Sequence, residues 1–408
     1  MASPQAVSFF PLRALPCSLF AHLNPAFPMR SLCVLIFGLI SLLSPLVAQQ
    51  TLLGGFFYQG VWRDYRLSVP ATYTGESPVP LIVNLHGLGS NAYEQELYAN
   101  FPAVADTAGF LTVQPNGIAN SWNAGFIIGG PDDLGFLTRL VDHLAESYAL
   151  DPARIYATGM SNGGFMSHYL ACERSGRFAA IASVTGTMSP FVYQNCDPGR
   201  PVPVMQIHGT ADAVVPYGGS AAFVPVDSLV AFWAAYNQCD PVPDTSLVPD
   251  VIPWDSSTAV RYTYLGDLAE SEVVLYRVEN GGHTWPGAIS LPGTVTNLDF
   301  RASVEIWRFF RRHPHPDPEP LGTTTALEAG PEALQAGPNP FAEALHLSYR
   351  GSGEAQVTVY DGQGRKVYAA RLWAEQPHRI DTRPWAAGVY HLQLESPQGS
   401  LHRKLVRP

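Results

Sequence analysis

Residues 154–166 read RIYATGMSNGGFM, and the fold turns on how this stretch is read. The first five residues look like a buried strand, a short apolar run that stops at a glycine. The helical pattern GGFMSHYLACERS (163–175) follows at once. Between them, Gly159-Met160-Ser161-Asn162-Gly163 sets a lone serine among glycines. A strand that passes into a helix so abruptly needs a turn in which side chains at Gly159 and Gly163 would collide, with the serine backbone pushed into an unfavourable region. The turn then holds a hydroxyl at the positive end of a helix, the arrangement called a nucleophile elbow. A GxSxG pattern alone occurs in many chains; its place between a buried strand and a helix separates it from a structural turn.

Outward from this turn, strands alternate with helices up to about residue 312. PLIVNLHG (80–87), FAAIASVTG (178–186) and VPVMQIHG (202–209) repeat the short apolar pattern. The spacing predicts helices over 90–108, 132–150, 163–175, 226–238 and 298–312, with Asp132 or Asp133 as N-cap of the second. Such alternation means an α/β fold, a mostly parallel sheet covered on both faces. Residues 56–73 alternate instead and predict antiparallel edge strands. At HPHPDPEPLG (313–322) the composition changes to a proline-rich spacer, in which His313 and His315 read as linker rather than metal ligands. Beyond it, ALHLSY, AQVTVYD, KVYAARL and GVYHLQLE, separated by GSG and DGQG, predict a small all-β sandwich. The expected domains are a signal-peptide region at 1–48, a catalytic domain at 50–312, a linker at 313–329 and the sandwich at 330–408.

Composition limits the function. The chain has 408 residues, 46% hydrophobic, enough for two globular units. A net charge of −10 argues against nucleic-acid binding. Lysine occurs only at Lys366 and Lys404, which removes a phosphate-loop lysine and a Schiff-base lysine from the first 365 residues. From Met29, Arg30, the run SLCVLIFGLISLLSPLV and Ala48 have the layout of a secretory signal peptide; the alternative of a membrane anchor meets a short run broken by Pro45. Residues 1–28 fit neither pattern, which points to a start at Met29. Export leaves Cys172, Cys196 and Cys239 in an oxidising compartment. Cys172–Cys196 is the candidate disulfide, although spacing leaves other pairings, or three thiols, open. No CxxC pair suggests a metal site.

A nucleophilic serine needs a base, and the base an orienting acid, in the chain order serine, acid, histidine. After the elbow and before the spacer stand His168, His208 and His283. His168 reads as a helix-face residue and His208 as a packed neighbour of the acid. His283, in ENGGHTWPG after EVVLYRV, is the candidate base. Asp212, in HGTADAVVPY just past an apolar strand, is the candidate acid, whereas Asp227 reads as a helix N-cap and Asp197, Asp240, Asp244 and Asp250 lie in proline-containing loops. Acyl transfer also needs donors for a developing oxyanion. The backbone N–H groups of Leu88, in HGLGSN (86–91), and of Asn162 are the candidates. Trp122 in NSWNAG and Trp285 beside the base are candidate substrate contacts, with loop packing as the competing role.

HGLGSNAYE, the stretch from Asp132 to Glu173, HGTADAVVPY and GGHTWPG together resemble the secreted polyhydroxybutyrate depolymerase and feruloyl esterase group of α/β-hydrolases, over about residues 55–312. The resemblance implies carboxylic-ester hydrolysis through an acyl-enzyme on Ser161, Asp212 and His283, with no metal or organic cofactor. The C-terminal part, with AGPNPF (336–341), VYDGQGRKVY and KLVRP, resembles the type A sorting domain of the type IX secretion system of Bacteroidetes-like bacteria. It implies the type IX machinery as a partner and a secreted or cell-surface location; no stretch after the signal-peptide region is long and apolar enough to span a bilayer, so no stable membrane insertion is expected. The expected substrate is a polymeric or polymer-derived ester: feruloyl, acetyl-xylan or polyhydroxyalkanoate. A serine peptidase of the same fold and a non-catalytic polymer-binding protein are the alternatives.

Overall fold

The computed structural model describes residues 49–321 and 334–408, apart from positions 60, 128, 269–270, 291, 338–339, 350–353, 374–375 and 397–398. The signal peptide expected at 1–48 and the expected linker beyond 321 lie outside the described residues.

Among the described residues ten strands form one sheet: β1 (Gln50–Tyr58), β2 (Val61–Val69), β3 (Val79–Leu85), β4 (Leu111–Pro115), β5 (Leu150–Met160), β6 (Ala180–Val184), β7 (Val204–Gly209), β8 (Asp244–Leu247), β9 (Thr258–Tyr264) and β10 (Val273–Glu279). Their spatial order is β1-β2-β4-β3-β5-β6-β7-β10-β9-β8. The central strands from β4 to β10 run parallel, and antiparallel pairs close both edges. The fold is an α/β-hydrolase. The short apolar runs become central strands because both of their faces are covered. On β3, Leu81, Val83 and Leu85 enter one apolar core while Ile82 enters the other. On β5, Ile155 and Ala157 point opposite to Tyr156, the period of two that a pleated strand imposes.

The helices are α1 (Ala92–Ala99), α2 (Phe101–Ala108), α3 (Asp133–Ala145), α4 (Asn162–Glu173), α5 (Pro190–Asn195), α6 (Val226–Tyr236) and α7 (Ala302–Phe310). Phe136 and Leu140 of α3, Leu170 of α4 and Trp233 of α6 fill one core, and Phe101 of α2 with Phe309 and Phe310 of α7 fill the other. The single helix expected over 90–108 is two, because Asn100 takes a left-handed conformation (φ 50°). It ends α1, and Pro102 in the first turn of α2 sits where its missing N–H has no cost. Asp132 caps α3 by accepting from Gly135 N at 2.9 Å.

The spacer expected from residue 313 departs from its reading. His313 and His315 are buried. His313 Nε2 meets Glu272 Oε2 at 2.6 Å, and His315 Nε2 donates to Ser175 O at 2.9 Å. Glu319 N–H donates to Gly176 O at 2.9 Å, and Leu321 packs on the core. Alternate prolines hold the segment extended, and the residues between them dock onto the sheet-helix unit as a strap.

In the C-terminal part, β11 (Leu334–Gly337), β12 (Ala344–Tyr349) and β15 (Pro377–Asp381) make one antiparallel sheet. β13 (Glu354–Asp361), β14 (Lys366–Trp373), β16 (Gly388–Ser396) and β17 (Gly399–Arg407) make a second, in the order β14-β13-β16-β17. Leu345 and Leu347 from the first meet Val357, Val359, Leu392 and Leu394 from the second in one core, as in a sandwich.

Candidate active site

Ser161 stands between β5 and α4 with φ 54° and ψ −119°, a region few non-glycine residues enter. The conformation is held from both sides: Ser161 N–H donates to Val184 O at 2.8 Å, and Phe165 N–H donates to Ser161 O at 2.9 Å. The flanking glycines are steric requirements. A Cβ on Gly163 would stand 2.2 Å from Leu85 O, and one on Gly159 would stand 2.6 Å from the Gly163 carbonyl carbon.

Asp212 follows β7 and His283 follows β10, two neighbouring parallel strands. Ala211 N–H donates to Gly281 O at 3.0 Å and ties the two loops together. His283 Nδ1 then lies 2.7 Å from Asp212 Oδ2. The other carboxylate oxygen, Oδ1, accepts from Val214 N and Val215 N, each at 2.8 Å, so the buried acid is fixed by its own loop. A proton on Nδ1 facing the carboxylate would leave Nε2 as the ring's acceptor.

Behind Asp212 runs a buried chain that sequence reading left unassembled. Trp233 Nε1–H donates to His168 Nδ1 at 3.2 Å, and His168 Nε2 meets Gln206 Oε1 at 3.0 Å. Gln206 Nε2–H donates to His208 Nδ1 at 3.1 Å, and His208 Nε2 donates to Val215 O at 2.8 Å. His168 and His208 are wholly buried. Burial lowers the pKa of both, to about 4 for His168, and every donor in the chain finds an acceptor only when both rings are neutral. Gln206 carried no signal of this role, because it sits in the middle of an apolar strand.

The 86–91 turn lies beside the serine: a Cβ on Gly87 would be 3.4 Å from Ser161 Cβ. The Leu88 side chain is exposed. Asn162 opens α4, so its N–H belongs to the first turn of donors without an intrahelical acceptor. Trp122 and Trp285 are 2% and 1% exposed and pack rather than offer a stacking face. Trp122 Nε1–H donates to His86 O at 3.0 Å, and Trp285 Nε1–H donates to Ser303 Oγ at 3.1 Å. A buried indole needs such a partner; the Trp122 ring bonds the 86–91 turn, and the Trp285 ring bonds α7 and packs on Phe101 of α2.

Cys172, near the end of α4, is bonded to Cys196, which ends α5. Cys239 is a free thiol, pushed up to about 11 by burial. Among the described residues no cluster of three or more His, Cys, Asp or Glu side chains is placed to hold a metal ion.

Known proteins are similar to the region that holds this site. The chain is 33% identical to a protein named esterase NocK of Nocardia uniformis subsp. tsuyamanensis over 56% of its own length and 72% of that protein's. It is 31% identical to a protein named feruloyl esterase C of Aspergillus clavatus over 61% of this chain and 83% of the other. The chain belongs to the feruloyl esterase family. It is a carboxylic ester hydrolase. Against feruloyl esterase B of Piromyces equi it is 29% identical over 43% of its length, spanning 34% of that longer protein. Residues 337–407 of this esterase match the secretion system C-terminal sorting domain, and residues 137–196 match the prolyl oligopeptidase family. The second match covers the elbow and stops short of Asp212 and His283.

Proposed function

We propose that this esterase works through Ser161 as nucleophile, His283 as general base and acid, and Asp212 as the group that orients His283. The observation that carries the proposal is the 2.7 Å bond from His283 Nδ1 to a buried Asp212 carboxylate, at the same end of the sheet as a serine held at φ 54°. His283 Nε2 takes the serine proton as Oγ attacks the ester carbonyl, and Leu88 and Asn162 N–H groups hold the resulting oxyanion. Collapse expels the alcohol with a proton from His283. Water activated by the same ring then frees the acid and regenerates the serine.

The names of the relatives favour feruloyl esters, and acetyl-xylan esters and polyhydroxyalkanoate-type polyesters belong to the same polymer-derived class. The sorting domain favours export by the type IX machinery, after a signal peptide within residues 1–48, with the catalytic domain at 50–312 and the sandwich at 330–408. Hydrolysis of p-nitrophenyl acetate and methyl ferulate by the wild-type chain and by Ser161→Ala tests the mechanism. Loss on the order of 10³-fold or more in the variant is the expected outcome, and equal rates would exclude Ser161. The prolyl oligopeptidase match gives a peptidase reading one observation; faster turnover of a peptide p-nitroanilide than of either ester would select it.

A further inference from the structure

The loop between β4 and α3, residues 117–122, touches both segments that supply the oxyanion donors. On one side it holds the 86–89 turn. Gly117 N–H donates to His86 Nε2 at 2.9 Å, which leaves the ring proton on Nδ1, facing Gly87 O at 2.8 Å. Trp122 Nε1–H donates to His86 O at 3.0 Å, and Gly89 N–H donates to Asn120 O at 2.8 Å. These bonds bracket Leu88. On the other side, Asn162 grips the same loop with both ends of its amide: Oδ1 accepts from Trp122 N at 2.6 Å and Nδ2 donates to Trp122 O at 3.1 Å. The loop backbone is itself strained, with Ala119 at φ 52° and Asn120 at φ 57°. An alanine keeps such an angle only where its surroundings over-determine it, whereas asparagine tolerates it more readily.

We infer that residues 117–122 form a brace that sets the separation and aim of the Leu88 and Asn162 N–H groups, with Trp122 and the Asn162 side chain as positioning residues. Two donors stabilise one oxyanion only if both point at the same place. Here they come from the β3–α1 turn and the β5–α4 turn, which follow two paired strands and pack against each other at Gly163; the loop adds hydrogen bonds to both. Trp122 ties its indole to the first and its backbone to the second. Slack in the brace weakens bonds that matter most when charge has developed on oxygen, so the loss falls on kcat rather than KM. The inference rests on the Ser161 reading above and extends it to the groups that hold its oxyanion site in shape.

The test uses the full chain and p-nitrophenyl acetate, with kcat, KM and thermal midpoint measured for wild type, Ser161→Ala, Asn162→Ala, Asn162→Asp and Trp122→Phe. Losing a whole oxyanion donor lowers kcat about 10²–10³-fold; misaiming one should lower it about 10-fold or more in Asn162→Ala and Trp122→Phe, with KM within about 2-fold of wild type. Asn162→Asp keeps the acceptor for Trp122 N–H but sets a carboxylate oxygen against Trp122 O and a negative charge near the developing oxyanion, so it should lose at least as much kcat as Asn162→Ala. Affinity for a trifluoromethyl ketone, whose serine adduct carries the oxyanion, should fall in step with kcat. A packing role alone predicts lower thermal midpoints with kcat and ketone affinity unchanged, and that result would overturn the brace. If Trp122→Phe does not fold, the two Asn162 variants carry the test from the α4 side. Wild-type turnover by Ser161→Ala would instead defeat the serine reading, while an inactive Ser161→Ala beside fully active Asn162→Ala and Trp122→Phe would defeat the brace alone.

Discussion

At Asp212 one carboxylate serves two purposes: Oδ1 accepts two backbone N–H bonds that shape its loop, and Oδ2 faces His283. Residue types and chain order were enough to nominate this acid, because few aspartates follow an apolar strand directly. The supporting chain through His208, Gln206 and His168 was not legible, since a buried polar residue in a strand reads as a flaw until its partner across the sheet is known. That chain has a pH consequence. Burial depresses the pKa of His168 to about 4, against an ordinary value of 6.5. A histidine held neutral in the folded state contributes stability that is complete above its unfolded pKa and is lost as pH falls from about 6.5 toward 4. Urea unfolding at pH 7 and pH 4 should differ by on the order of 3 kcal/mol from this ring alone. His168→Gln, which cannot charge, should flatten that part of the profile; an unchanged slope would show that another group carries it.

The elbow is the element where sequence and geometry agree most closely. Gly159 and Gly163 were expected to be required, and the distances from their missing side chains to Leu85 O and to the Gly163 carbonyl show why. Gly163→Ala must move β3 or α4 by the better part of an ångström, so it should lower the thermal midpoint and abolish ester turnover, measured by differential scanning calorimetry and p-nitrophenyl acetate; a stable, fully active variant would contradict the packing described. Boundaries were less legible. One helical pattern over 90–108 became α1 and α2 because Asn100 adopts a left-handed conformation, which asparagine tolerates and periodicity does not announce. The disulfide links the ends of α4 and α5 across 24 residues. By loop-closure entropy, replacing both cysteines with alanine should cost about 3 kcal/mol, measurable by urea denaturation of the oxidised wild type and the double variant; no change would mean the bridge constrains nothing that folding does not already fix.

Across the whole molecule the strap at 313–321 joins what the composition separates. Glu272 sits beneath it, and although burial favours its neutral form, His313 and Arg312 outweigh that and hold its pKa at about 2. A depressed carboxylate contributes stability that is present above its ordinary pKa near 4.5 and is lost as pH falls toward about 2, so Glu272 stays ionised beneath the strap throughout the neutral range. A catalytic unit ending at Arg312 should therefore melt about 5 °C or more below one ending at Leu321; matching midpoints in a thermal scan would show that the strap merely lies on the surface. By itself the sequence determined the α/β alternation, the strained serine turn and the candidates for acid, base and oxyanion donors, because each of these follows from local periodicity, glycine sterics or chain order. Only the tertiary structure decided that the Trp122 and Trp285 rings are buried and bonded to His86 O and Ser303, that Asn162 grips the 117–122 loop, and that the proline-rich strap is docked. Those outcomes depend on which side chains from distant segments meet across the sheet, and burial and hydrogen-bond partnership are properties of that meeting.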